Sequence, residues 1–196
     1  MSDMAGLIYA GGKGSRFGGN KAMAPLDGQR LIDHVVTRFR PQVATLAIAG
    51  ATLVPDTAPL KDDAHKGKGP LAGLLAGLKW ASELTDVKWL ATAPCDVPLL
   101  PANLVGLLSQ GLTDRPRVLS MEGQWQTGCA LWPLTSRETI EEILIGGSDL
   151  SLHSALRSLG AEQVAAQQSS LAGSFLNINT QTDLTNLARE LSSSPK

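Results

Sequence analysis

The sequence predicts an α/β fold, a single three-layer α/β/α domain around a mainly parallel sheet, and two observations predict it. Short apolar runs alternate with longer segments whose apolar residues recur at helical spacing, the order of strand and covering helix along a parallel sheet. The apolar runs also stop abruptly in punctuating residues, as in Tyr9-Ala10-Gly11-Gly12 and Ala93-Pro94-Cys95-Asp96, where strand gives way to loop. A chain of 196 residues is long enough for one such domain, taken here as residues 1–196.

Each element follows from its local pattern. Residues 6–10 read as a first strand, and 31–40 as a helix with apolar residues at 31, 32, 35, 36 and 39 on one face. A second buried strand spans 45–49. Leucines at 71, 74, 75 and 78 predict a helix over 71–82, followed by a strand at 89–93. Pro101 suits a first helical position, which predicts a helix over 101–110. Two strands, 117–121 and 129–132, are expected around a loop at 122–128. Helices are expected at 136–145 and 151–160, then a last strand at 175–178 and a helix at 182–191. The polar end, 192–196, reads as a frayed tail.

Composition narrows the function. The formal net charge is −1 with no long basic run, which argues against a dedicated nucleic-acid binder. No apolar run reaches membrane-spanning length and no basic segment precedes one, so neither a membrane partner nor a leader is expected. The two cysteines, Cys95 and Cys129, match no metal-ligand spacing, and a reducing cytoplasm is the expected setting. His34, His65 and His153 form no motif.

The chemistry-bearing residues fall in four segments. Residues 10–21 run Ala-Gly-Gly-Lys-Gly-Ser-Arg-Phe-Gly-Gly-Asn-Lys. Glycines let backbone N–H groups approach an anion, Arg16 offers a planar fork for phosphate oxygens, and Lys21 a compact positive charge. The spacing fits neither a P-loop nor a dinucleotide fingerprint, because Lys21 is followed by Ala22 and Phe17 stands where a third glycine belongs. By itself such a segment also suits a plain glycine turn. Gly69-Pro70-Leu71-Ala72-Gly73 opens a helix, with Gly69 and Pro70 permitting a sharp entry and the small Ala72 and Gly73 permitting close packing, and Asp62 and Asp63 lie upstream. Asp96, beyond a buried strand and flanked by Pro94 and Pro98, lies where open α/β sheets bind ligands, although a lone strand-end aspartate can also serve as a cap. Asn177 and Asn179 share one face of an extended run, with Thr180 or Thr182 placed to cap the helix after it.

In this order the four segments resemble the molybdenum cofactor guanylyltransferases, the MobA-like nucleotidyltransferase family, from Leu7 to Leu187. The resemblance implies a Rossmann-like fold of the nucleotide-diphospho-sugar transferase kind. It implies transfer of GMP from GTP to the terminal phosphate of molybdenum-bound molybdopterin, with release of pyrophosphate. The site residues it implies are Arg16, Lys21 and Asp96 for catalysis, with Asp96 as ligand to Mg²⁺. For the nucleotide it implies Tyr9, Ala10, Gly11, Gly12, Lys21, Asp62 or Asp63, Gly69, Asp96, Asn177 and Asn179. GTP and molybdopterin are the expected partners of a monomer or weak homo-oligomer, with transient contact to proteins that supply the cofactor or chaperone molybdoenzymes. Three positions depart from the family pattern: Asn20 stands where an aspartate precedes the lysine, Ala49-Gly50-Ala51 lacks the family's asparagine, and Gln126-Thr127 replaces His-Pro beside Trp125. Transfer from CTP, transfer to a sugar phosphate, and non-catalytic nucleotide binding or cofactor delivery are the alternatives.

Overall fold

A computed structural model describes residues 3–11, 17, 19–61, 65, 67–165 and 175–193. Its centre is a seven-stranded sheet. In chain order the strands are β1 (Met4–Tyr9), β4 (Thr45–Ala49), β5 (Ala58–Leu60), β6 (Trp89–Pro94), β7 (Arg117–Met121), β8 (Gln124–Pro133) and β9 (Glu162–Ala165), arranged β5-β4-β1-β6-β8-β7-β9. β8 runs antiparallel to both its neighbours and every other pairing is parallel, so the sheet is mainly parallel as expected. β2 (Pro25–Leu26) and β3 (Gln29–Arg30) form a separate small hairpin.

Period-two alternation divides the core. Ile8 of β1 packs with Ile32, Val35 and Phe39 of α1 (Leu31–Phe39) and with Leu104 and Leu108 of α3 (Leu104–Leu108) on one face. Leu7 and Tyr9 face the other way, onto α2 (Pro70–Ser82), with α4 (Arg137–Gly146) and α5 (Leu152–Ser158) covering the same side. α2 lies close on the sheet because Gly77 has no side chain: a Cβ there would meet Leu7 Cδ2 at 2.6 Å and Leu90 Cδ2 at 3.0 Å. A third cluster joins Phe17, Leu26, Leu31 and Ile178 to Leu184 and Leu187 of α6 (Gln181–Ser193), so the chain's end is folded back over its beginning.

Several local expectations change. The predicted strand at 175–178 belongs to no sheet. Ile178 N donates to Asp96 O at 2.9 Å, but β6 has ended at Pro94, so no ladder can continue, and Ile178 is buried in the third cluster instead. The expected loop at 122–128 is a tight turn at Glu122-Gly123, both at positive φ (50° and 75°), and β8 already begins at Gln124. Asp27-Gly28 makes the same kind of turn between β2 and β3. The helix expected over 101–110 shortens to Leu104–Leu108: Leu104 N bonds Pro101 O in a preceding turn, and Gly111 (φ 66°) lies beyond its end. β5 and β9 occupy the two sheet edges, and Pro59 is tolerated in β5 for that reason.

Candidate active site

From β1 the chain builds outward to β4 and β5 on one side, while β6 opens the other half of the sheet toward β8 and β7. This reversal makes the carboxyl ends of β1 and β6 the crevice where ligands bind in open α/β sheets. Three backbone bonds set its floor. Cys95 N donates to Tyr9 O at 3.1 Å, Ala10 N to Ala49 O at 2.8 Å, and Gly50 N to Leu60 O at 3.3 Å. Gly50 also lies against the main chain beyond β1: its φ is +139°, and a Cβ would lie 2.7 Å from the Ala10 carbonyl carbon and oxygen.

Asp96 follows β6 directly and is pinned through its carbonyl by Ile178 N. Lys21, first residue of a 3₁₀ turn (Lys21–Met23), reaches across to it: Nζ lies 2.8 Å from Asp96 Oδ2 and 3.2 Å from Asn179 Oδ1. Three of the four segments picked out from the sequence therefore meet at one ammonium group. The other carboxylate oxygen, Asp96 Oδ1, is buried without a hydrogen-bond partner among the described residues. Asn179 is itself held by the start of α6. Asp183 Oδ2 accepts from both Asn179 N and Thr180 N at 2.8 Å, and Thr180 Oγ1 accepts from Asp183 N at 3.1 Å, a reciprocal cap. Those two backbone donors hold the Asp183 carboxyl below the usual aspartate range. Thr180, rather than Thr182, is thus the capping threonine.

A cleft of about 360 Å³ opens from Asp96 toward β8, lined by Asn177, Asn179, Trp125, Gln126, Thr127 and Gly128 among others. Trp125 is fixed from behind: its ring lies 5.2 Å from that of His153, and its Nε1 donates to Gln163 Oε1 at 3.3 Å. A more open groove on the outer face of α6, lined by Thr185, Ala188, Arg189, Ser192 and Ser193, brings no such groups together. The thiols beside the cleft are buried and held in the protonated form. Burial, reinforced by the Asp96 charge, pushes Cys95 up to about 12 and moves Cys129 up as well, and both cysteines are free.

The remaining candidates sort by position. Tyr9, Ala10 and Gly11 offer main chain at the crevice, but the Tyr9 ring is buried against α2 and burial pushes its phenol upward. Gly69 caps α2 at φ +72°, with Pro70 at the first helical position. Gly12, Arg16, Asp62 and Asp63 lie outside the described residues. Sequence reasoning missed Thr52, which is buried and accepts from Asn20 Nδ2 at 3.3 Å, and Asp183, whose Thr-x-x-Asp spacing from Thr180 is a capping pattern visible in the sequence.

With this geometry in place, comparison with known proteins is decisive. Residues 6–168 match the MobA-like NTP transferase domain. The chain belongs to that family. A molybdenum cofactor guanylyltransferase of Mesorhizobium japonicum is 34% identical over 97% of both chains, and one of Yersinia pestis is 37% identical, covering 92% of this chain and 93% of its own. Among solved structures, molybdopterin-guanine dinucleotide biosynthesis protein A of Archaeoglobus fulgidus superposes with a TM-score of 0.76 at 20% identity, over 97% of this chain and 100% of that one. A 2-C-methyl-D-erythritol 4-phosphate cytidylyltransferase of Thermus thermophilus gives 0.69 at 18% identity, covering 96% of this chain and 98% of its own. These structures share the three-layer nucleotidyltransferase fold. This MobA-like chain gathers Lys21, Asp96 and Asn179 beyond the carboxyl ends of β1 and β6. Among the described residues no helix is long and apolar enough to cross a membrane.

Proposed function

We propose that this protein is a molybdenum cofactor guanylyltransferase, transferring GMP from GTP to the terminal phosphate of molybdenum-bound molybdopterin. The observation that carries the reading is the meeting of Lys21, Asp96 and Asn179, residues 75 and 158 positions apart in sequence, at the sheet's carboxyl edge. That the relatives named for this activity match nearly the whole chain supports the choice of nucleotide and acceptor.

A terminal phosphate oxygen of the acceptor forms a bond to the α-phosphorus of GTP while the bond from that phosphorus to the β-phosphate bridging oxygen breaks. The electron pair leaves on pyrophosphate. No covalent enzyme intermediate is needed, so the chain's task is positioning and charge neutralisation. The main chain at Ala10 and Gly11 faces the triphosphate, and Lys21 carries charge to the phosphates in place of its contact with Asp96. Arg16 is assigned the same leaving-group charge from its place in the loop. Trp125, held by its hydrogen bond to Gln163 and by the tilted His153 ring, presents an aromatic wall on the acceptor side of the cleft, suited to a planar heterocycle.

The residues present fit Mg²⁺. Asp96 Oδ1 is a buried carboxylate oxygen without a hydrogen-bond partner among the described residues, in the cleft also lined by Asn177 and Asn179. No group of three His, Cys, Asp or Glu gathers among the described residues, which suits an ion that takes one or two carboxylates and completes its shell with phosphate oxygens and water. When bound, the ion supplies Lewis-acid charge to the nucleotide phosphates. Asp96→Ala removes its proposed protein ligand and is expected to abolish turnover. The test is release of pyrophosphate on mixing protein, Mg²⁺ and molybdenum-bound molybdopterin with each nucleoside triphosphate in turn. Release with GTP and not with CTP is expected; equal release with CTP would reassign the nucleotide, and full activity of Asp96→Ala would remove the metal assignment.

A further inference from the structure

The residue before Lys21 does something its position does not require. Asn20 is the N-cap of the turn Lys21–Met23, where an asparagine side chain ordinarily accepts from the turn's own N–H groups. Here it makes no such bond. Its backbone carbonyl closes the turn by accepting from Met23 N at 3.0 Å, and its side-chain Nδ2 instead donates to Thr52 Oγ1, 32 residues away. Thr52 lies just past the end of β4 and is buried although polar, only 4% exposed. A second tie runs in parallel: Arg30, locked on Asp33 through Nε at 2.7 Å and Nη2 at 2.6 Å, donates from Nη1 to Leu53 O at 3.2 Å. The segment carrying Lys21 is therefore strapped to the loop after β4, whose Gly50 lies against the Ala10 main chain at the crevice floor.

We propose that Asn20 and Thr52 are a positioning pair that fixes the Lys21 ammonium over Asp96 and Asn179, ready to meet nucleotide phosphate. The role in nucleotide use rests on the proposed function; the positioning of Lys21 does not. The pair's chemistry makes a specific demand. An amide at position 20 donates and the threonine hydroxyl accepts. A carboxylate at position 20 can only accept, so the same hydroxyl must turn and donate, which a threonine can do and a valine cannot. Position 20 thus tolerates aspartate or asparagine for one reason, the two-way hydroxyl opposite it.

The test reads Lys21 directly. The whole protein, without nucleotide, is treated with a limiting amine-reactive ester and the rate of Lys21 acylation is followed by peptide mass spectrometry. One neutral hydrogen bond corresponds to about a fivefold change. Asn20→Ala and Thr52→Val should each raise the Lys21 rate about fivefold, and the double variant by no more than either single one, because the two act as a unit. Asn20→Asp should stay near the parent rate, and Asn20→Asp with Thr52→Val should return to the fast rate. In steady-state assays Asn20→Ala should raise KM for GTP by a similar factor with kcat little changed, and this effect should vanish in a Lys21→Ala background. Unchanged Lys21 labelling in both single variants, or multiplied effects in the double variant, would overturn the pair. Failure of the parent protein to release pyrophosphate from GTP would instead overturn the proposed function, while the labelling result still judges the pair.

Discussion

Gly50→Ala tests how the crevice floor is built. At φ +139° this residue occupies backbone space that is essentially glycine's alone, a strain of about 1–3 kcal/mol for any side chain. The added Cβ would also lie 2.7 Å from the Ala10 carbonyl and 2.8 Å from Gly11 N. These are main-chain atoms of the adjoining strand end and cannot swing aside as a flexible side chain does, so overpacking adds about 1–3 kcal/mol. The sum, roughly 2–6 kcal/mol, corresponds to a fall in Tm of about 4–24 °C for a chain of this size, at about 2–4 °C per kcal/mol. Gly160→Ala is the control. Gly160 also has positive φ (63°), yet a Cβ there meets nothing within 4 Å, leaving only a left-handed backbone cost of about 1–2 kcal/mol. Thermal unfolding and GTP titration of both variants form the assay. Gly50→Ala should unfold at the lower temperature and, below its transition, bind GTP more weakly, since relief of the contact must shift Ala10 and Gly11. Gly160→Ala should bind GTP as the parent does. Equal Tm values for the two, with parent-like GTP binding by Gly50→Ala, would show that Gly50 does not set the crevice floor.

Other predictions follow from the same geometry. Lys21→Ala removes both contacts at Asp96 and Asn179, and it should raise KM for GTP by an order of magnitude or more, as expected when a charged hydrogen bond to phosphate is lost; unchanged GTP dependence would take Lys21 out of the site. The Asp183 carboxyl titrates below its unfolded value, so its stabilisation of the Asn179–Thr180 turn is present above the ordinary aspartate pKa and is lost as pH falls through the lowered folded value. The protection of the Asn179 and Thr180 amides relative to intrinsic exchange should therefore fall on acidification, and in Asp183→Asn this pH dependence should largely disappear; identical protection profiles would contradict this. Cys95 and Cys129, both buried and with raised pKa values, should resist iodoacetamide at pH 8 in the native protein and react fully after unfolding, and rapid native alkylation would show that the β6–β8 junction is open.

How much of this was legible in the sequence varied with the range of the interaction. Strands β1, β4 and β6 and helices α1 and α2 are read from their apolar periodicity, because burial on the sheet faces dictates those residues one by one. The edge strands β5 and β9 were not found: Ala58–Leu60 and Glu162–Ala165 are short, half exposed and carry little apolar signal. The segment 175–178 shows the opposite failure. Its strand-like pattern is satisfied by Ile178 packing against α6, and nothing in the pattern says that the neighbouring strand has already ended. At the site, Lys21, Asp96 and Asn179 were each named from their segments, but their convergence on one ammonium is a property of strand order. The Asn20–Thr52 bond illustrates the limit most clearly. Asn20 stood out as a departure from the family pattern, yet its partner lies in an unremarkable stretch whose role comes only from the adjacency of β1 and β4.

The reaction proposed for the crevice joins GMP to a pterin phosphate. It is tested most directly by incubating the protein with molybdenum-bound molybdopterin, Mg²⁺ and GTP labelled with ³²P at the α-position, and locating the label. Label is expected in a pterin–guanine dinucleotide of the corresponding mass, with one pyrophosphate released per labelled product. Label confined to GTP, or released as free GMP without acceptor modification, would contradict it.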